Sequence, residues 1–209
     1  MNRLLVCALA FFLAAAIPAS ATALYSNGPV NGGANSWNIS TATDIATDSF
    51  SIPSASLMTG FDFATWNSPG SVITSVTWAI GTAAFGSDVA SGTSAVSSVF
   101  DFSGADASYL IYPYDVDTNT VSGLSVGLSG GTTYWLTLSG AVIPNGASWD
   151  QNNGPSAAQF SIHGFSAPIN SETFDINGGP APAPEPGGMG LLGGGLLMLL
   201  GAVRRRKIG

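Results

Sequence analysis

His163 is the only imidazole in a chain of 209 residues, so any Ser-His-Asp triad or His-containing metal site would have to be built on it. It precedes Gly164 at the end of an apolar alternation, where an ordinary turn histidine is expected. The one cysteine, Cys7, lies in an apolar leader, which leaves the remainder without thiolate chemistry or disulfides. No Lys or Arg occurs between Arg3 and Arg204. Schiff-base nucleophiles, salt bridges and basic clamps for anionic substrates are thereby excluded from that stretch. What remains is oxygen chemistry, from carboxylates, amides and hydroxyls.

Three arrangements of those groups merit weighing. Asp115-Val116-Asp117-Thr118-Asn119 has the one-three-five oxygen spacing of a calcium loop, calcium being a hard cation bound by Asp, Asn and backbone oxygens. Thr120 stands where that loop needs Gly, and Val126 where it needs a bidentate Glu, so a helix-loop-helix site is rejected. Read as a strand, the alternation simply puts Asp115, Asp117 and Asn119 on one solvent face. The second arrangement is Trp149 with Asp150, Asn152 and Asn153, read as a turn-rich stretch. There an exposed indole and its polar neighbours would contact a sugar, the same oxygens offering another place for calcium. Trp37 and Trp66 lie in other turn-rich stretches, and burial in the core is the alternative for any of these rings. The third is a glycosidase, which needs only two carboxylates at a suitable separation. Eleven of the twelve acidic residues precede residue 178, and nothing in their order singles out a pair. No organic cofactor is expected; oxygen-only sites suit hard cations, of which calcium is the more natural.

Composition narrows the setting of this chemistry. The formal net charge is −7, charged residues make up 8% and hydrophobic residues 45%, against about 25% charged in an ordinary soluble domain. Nucleic acid is excluded as a direct partner, because phosphate binding needs Lys or Arg to release counterions. The apolar and aromatic content is too high for a disordered chain. A folded body without ion pairs is the consequence.

The elements that must position these residues have period two. Val72, Thr74, Val76, Trp78 and Ile80 share one face of an expected strand while Ser71, Ser75 and Thr77 share the other. The alternation recurs at Phe50 and Ile52, Phe61 and Phe63, Phe100 and Phe102, Leu110 and Tyr112, Tyr134 to Leu138, Phe160 and Ile162, and Phe174 and Ile176. Turn signals such as Asn67-Ser68-Pro69-Gly70, Ser129-Gly130-Gly131, Pro144-Asn145-Gly146 and Asn153-Gly154-Pro155 separate them. The expectation is an all-β fold: an antiparallel β-sandwich of about eight to ten strands, jelly-roll-like, over residues 24–177.

The two ends read differently. Arg3, an apolar run from Leu4 to Ile17 and small residues up to Ala23 form a secretory signal peptide over residues 1–23. Signal peptidase needs small residues at Ala19 and Ala21 or at Ala21 and Ala23, and cleavage after Ala23 is favoured. Residues 178–186 read as a stiff Pro-rich spacer, since alternate prolines remove amide donors. Residues 187–203 are uncharged and as a transmembrane helix span about 25 Å, the lower limit for a bilayer. Arg204, Arg205, Arg206 and Lys207 follow at once and stay cytoplasmic by the positive-inside rule.

Pro184-Glu185-Pro186, the short Gly- and Leu-rich span and the terminal Arg cluster resemble the PEP-CTERM sorting signal of Gram-negative bacteria over roughly the last 25 residues. The resemblance implies transient anchoring in the inner membrane and cleavage near Pro184-Glu185-Pro186 by an exosortase, a membrane-embedded cysteine protease. It also implies release to the cell surface or the exopolysaccharide and biofilm layer. The body is similar to a recurrent group of PEP-CTERM proteins of unassigned activity. That likeness rests on Leu24-Tyr25-Ser26-Asn27-Gly28-Pro29-Val30-Asn31-Gly32, Val72-Ile73-Thr74-Ser75-Val76-Thr77-Trp78, Gly131-Thr132-Thr133-Tyr134-Trp135-Leu136-Thr137-Leu138 and Trp149-Asp150-Gln151-Asn152-Asn153-Gly154-Pro155-Ser156. It implies a secreted, β-rich, non-enzymatic body and carries no catalytic residues. A structural role with extracellular polysaccharide as partner is the first expectation, a calcium-assisted carbohydrate-binding module the second and a glycosidase the third.

Overall fold

β-branched and aromatic residues alternate with Ser and Thr along most of the chain, and the computed structural model accordingly contains strands and no helix among the residues it describes, 22–32, 35–105 and 113–181. The first seven strands are β1 (Thr22–Ser26), β2 (Ser36–Asn38), β3 (Asp44–Ser51), β4 (Ser56–Asn67), β5 (Ser75–Gly81), β6 (Ala90–Ala95) and β7 (Ser97–Ala105). Six more follow: β8 (Pro113–Leu128), β9 (Thr133–Val142), β10 (Ala147–Asp150), β11 (Ala158–Ile162), β12 (Phe165–Ile169) and β13 (Phe174–Pro180). Every pairing is antiparallel.

The strands form two sheets, so the β-sandwich expected from the period-two pattern is what the chain adopts. One sheet has seven strands, with β4 at its centre. β4 pairs with β8 along one side, and β8 with β7. Along its other side β4 pairs first with β13, which carries β1, and then with β10, which carries β2. The second sheet runs β12-β11-β3-β9-β5-β6. Phe61, Phe63, Trp149, Phe174 and Ile176 from the first sheet and Phe50, Val76, Trp78, Ile80, Tyr134, Leu136 and Leu138 from the second are buried in one core. Each such side chain contributes about 1.5–3 kcal/mol of transfer free energy. Trp149 meets Phe63 and Phe174 edge-on, at centroid distances of 6.5 and 5.9 Å.

The sequence pattern misplaces three features. Val72 and Thr74 face solvent while Ile73 is buried, because β5 begins only at Ser75 and residues 71–74 lie outside any strand, so the period of two does not extend to them. Phe100 and Phe102 are exposed on β7, whose only strand partner among the described residues is β8. The boundaries at 23/24 and 177/178 fall inside strands: Thr22 and Ala23 pair with Gly178 and Asn177, and β13 continues to Pro180, opposite Ser56. Gly178 and Gly179 keep their amide donors, and Pro180 lies beyond the reach of β1, on an edge that no other described strand covers, where proline is tolerated. A Cβ on Gly178 would strike the Leu57 carbonyl oxygen and the Leu24 side chain, so glycine is required there by close packing rather than by a linker. Leu110, Tyr112, the leader to Ala21, the motif Pro184-Glu185-Pro186 and the span and Arg cluster of 187–209 lie outside the described residues.

Candidate functional site

Trp149 is the first correction. It lies in β10 between Trp37 of β2 and Thr65 of β4, and the strand's alternation turns it into the core, where it is 0% exposed. Its Nε1 donates to the Thr173 carbonyl at 2.8 Å. No ring face is left for a sugar. Asp150 and Asn152 are also buried, and only Asn153 of the expected contact set is exposed.

The second correction concerns Asp115, Asp117 and Asn119. They do share one face of β8, but it is not a solvent face: Asp117 and Asn119 are buried. Asp117 Oδ2 accepts from Asn67 Nδ2 at 2.8 Å, and Asn119 donates to Thr65 Oγ1 and accepts from Ser98 Oγ. Asp115 accepts from the Gly70 amide and the Ser103 hydroxyl. Burial, with Asp115 and Asp101 nearby, raises the Asp117 carboxyl above its usual range. Among the described residues no group of three or more His, Cys, Asp or Glu is arranged to hold a metal. His163 occupies the β11/β12 turn, exposed, with a positive φ of 49°.

Three carboxyls come together inside the molecule, of which the sequence pattern marked only Asp150. Asp48 of β3 faces the core, accepting from Asn27 Nδ2 at 3.0 Å and from the amides of Glu172 and Ser49, each at 2.6 Å. Burial pushes it up to about 6. Glu172, 0% exposed, accepts from Gln151 Nε2 at 3.3 Å, while its Oε2 has no hydrogen-bond partner. Burial raises its carboxyl well above the usual range, with Asp48 and Asp150 adding to the effect. Asp150 accepts from Trp66 Nε1 at 2.6 Å and Thr173 Oγ1 at 2.9 Å, and burial raises it too. These groups join β3, β10, the segment that follows β1 and the β12/β13 connection into one lock. They are sealed from solvent and unavailable to a substrate.

Two further places reach the surface. Asp62 of β4 and Asp175 of β13 are direct cross-strand partners lining a cavity of about 430 Å³ with Val30, Phe63 and Phe174. Both oxygens of Asp62 are held, by Thr120 and Asn177, whereas Asp175 Oδ1 is buried without a partner. Like charges directly opposed on a sheet repel. At the end of β4, Trp66 stacks on Tyr114 beside an open cleft of about 370 Å³.

No protein-family model matches the chain, and no curated protein matches it.

Proposed function

We propose that the chain is an exported, non-enzymatic protein of the surface or extracellular matrix of a Gram-negative bacterium. In this reading its leader carries it out, its tail holds it in the inner membrane, and an exosortase releases it near Pro184-Glu185-Pro186 into the exopolysaccharide layer. The pairing of β1 with β13 is the observation that supports this most. Thr22 lies opposite Gly178, so leader and tail join the body side by side at one end of the sandwich. Pro184 falls four residues past the last strand, and four residues of Pro-rich chain can reach about 12 Å. A protease in the membrane would reach the motif without unfolding the body. The test is expression of the full chain with the exosortase present or deleted. A released product ending near Pro184 only when the protease is present is the expected outcome, and an uncut membrane-held chain in both strains would overturn the reading.

The strand order supports a jelly roll within the sandwich. β1-β13-β4-β8 lies in one sheet and β3-β9-β5-β6 in the other, the interleaving of two Greek keys, with β2, β7, β10, β11 and β12 as additions. An experimental structure in which β1 pairs with any strand but β13 would contradict it.

A glycosidase is the second reading, favoured by the facing pair Asp62 and Asp175 in their cavity. Reducing-end release from neutral polysaccharides, lost in Asp175→Asn, is its signature. No release by the folded wild type removes it.

A further inference from the structure

The cleft beside Trp66 and Tyr114 lies on the outer face of the seven-stranded sheet, where β4 ends, β8 begins and the β9/β10 turn crosses. The two rings are parallel within 2°, with centroids 4.2 Å apart, and both are half-buried. Trp66 Nε1 is committed to Asp150, and the Tyr114 hydroxyl to the Gly32 carbonyl. What the rings contribute to the cleft wall is therefore carbon surface held in a fixed orientation. The remaining wall is neutral and polar, with Ser36, Asn38, Asn145 and Ser148 among its lining residues. Asn145 sits in a turn with φ of 65°, followed by Gly146 at 90°.

We infer that this cleft binds a neutral glycan chain. A pyranose ring offers an apolar C–H face rimmed by hydroxyls, which matches fixed aromatic carbon surface bordered by amides and hydroxyls that both donate and accept. The absence of carboxylates from its lining argues against a cation. With no Lys or Arg between residues 4 and 203, a uronate, sulfate or phosphate would find no counter-charge. The volume lies near the lower end of the range for ligand clefts, and the cleft is open rather than enclosed. It therefore suits a few residues of a chain passing over the sheet better than a free monosaccharide. The inference does not depend on the export route.

The test uses the purified full-length chain in a zwitterionic, sugar-free detergent, titrated calorimetrically with cellohexaose, laminarihexaose, xylohexaose and mannohexaose, with hexagalacturonate as acidic control. At least one neutral hexasaccharide binds at millimolar concentration or below, and the acidic one does not. Trp66→Ala weakens binding about tenfold or more, the loss of one stacked ring. Because Trp66 also holds Asp150, two further variants guard against a folding defect, each checked by its thermal midpoint. Ser148→Phe adds bulk to the cleft wall, and Asn145→Gly keeps the positive-φ turn while removing the amide. Both weaken binding in a folded protein. The proposal is overturned if no neutral hexasaccharide binds, if hexagalacturonate binds equally well, or if folded Ser148→Phe and Asn145→Gly bind as the wild type does.

Discussion

Glu172 is a carboxyl in the interior with one oxygen on Gln151 and the other on nothing, near two further acids and with no basic side chain available. Leaving a buried polar atom unpaired costs about 1–3 kcal/mol, and more when it is ionised. Glu172→Gln keeps the acceptor for Gln151 and removes the ionisation. It is therefore expected to raise the thermal midpoint at pH 7, by the equivalent of about 1–2 kcal/mol, and a lower midpoint would show that the carboxyl is paired. Trp149→Ala has the opposite sign: opening a cavity between Phe63 and Phe174 costs about 3–5 kcal/mol in a denaturant titration. A sugar contact at the surface would cost almost nothing there. The residues now seen to matter were hidden from sequence for different reasons. Asp48 and Glu172 meet across 124 positions, so no spacing announces them. Trp149 was misread because a four-residue strand flanked by Asn, Gly and Pro looks like a turn. Trp66 did stand out beside a turn, but its stacking partner belongs to another strand.

Among the elements, apolar alternation was legible and the shortest strands were not. Phe61 and Phe63 of β4, Tyr134, Leu136 and Leu138 of β9, and Phe174 and Ile176 of β13 lie in the core as their alternation requires, whereas β2 and β10 are three and four residues long, below the length at which period two can be read. The alternation read before Ser75 fails because the strand starts only there. The edges of β1 and β13 carry a prediction about processing. Cleavage after Ala23 would remove the Thr22/Gly178 and Ala23/Asn177 pairs, two of the four that hold β1. Cleavage after Ala21 leaves the strand whole and still places small residues at Ala19 and Ala21. N-terminal sequencing of the exported protein is expected to begin at Thr22, and a start at Leu24 would show that β1 forms from Leu24 to Ser26 alone. Gly178→Ala tests the same edge from the other strand. The new methyl meets a backbone oxygen that cannot swing away, so a loss of about 1–3 kcal/mol is expected in the same titration.

For the molecule as a whole, the lack of Lys and Arg between residues 4 and 203 inverts the usual dependence of stability on pH. In most proteins carboxyls are held below their ordinary range by basic partners, and acid destabilises. Here burial holds Asp48, Asp150, Asp117 and Glu172 above it. For Asp48 the unfolded chain ionises from about pH 3.8, while the folded state keeps its proton to about 6. The folded state therefore binds more protons between those values, and stability falls as pH rises through that window. That difference corresponds to about 3 kcal/mol from Asp48 alone. Glu172 extends the fall to higher pH, and the self-repulsion of an acidic body adds to it. Asp88, lowered by its hydrogen bond from the Thr82 hydroxyl, acts the other way, but it is fully exposed. The expected result is a thermal midpoint that climbs as pH is lowered from 7 to about 4.5, with Asp48→Asn flattening the lower part of the climb. Millimolar calcium at pH 7 separates this from cation binding. A specific site among the carboxylates raises the midpoint at pH 7 and little at pH 4.5 by linkage, whereas protonation of buried acids gives the climb with or without the metal. A midpoint that falls between pH 7 and 5 would mean the interior carboxyls have found partners that the fold does not supply.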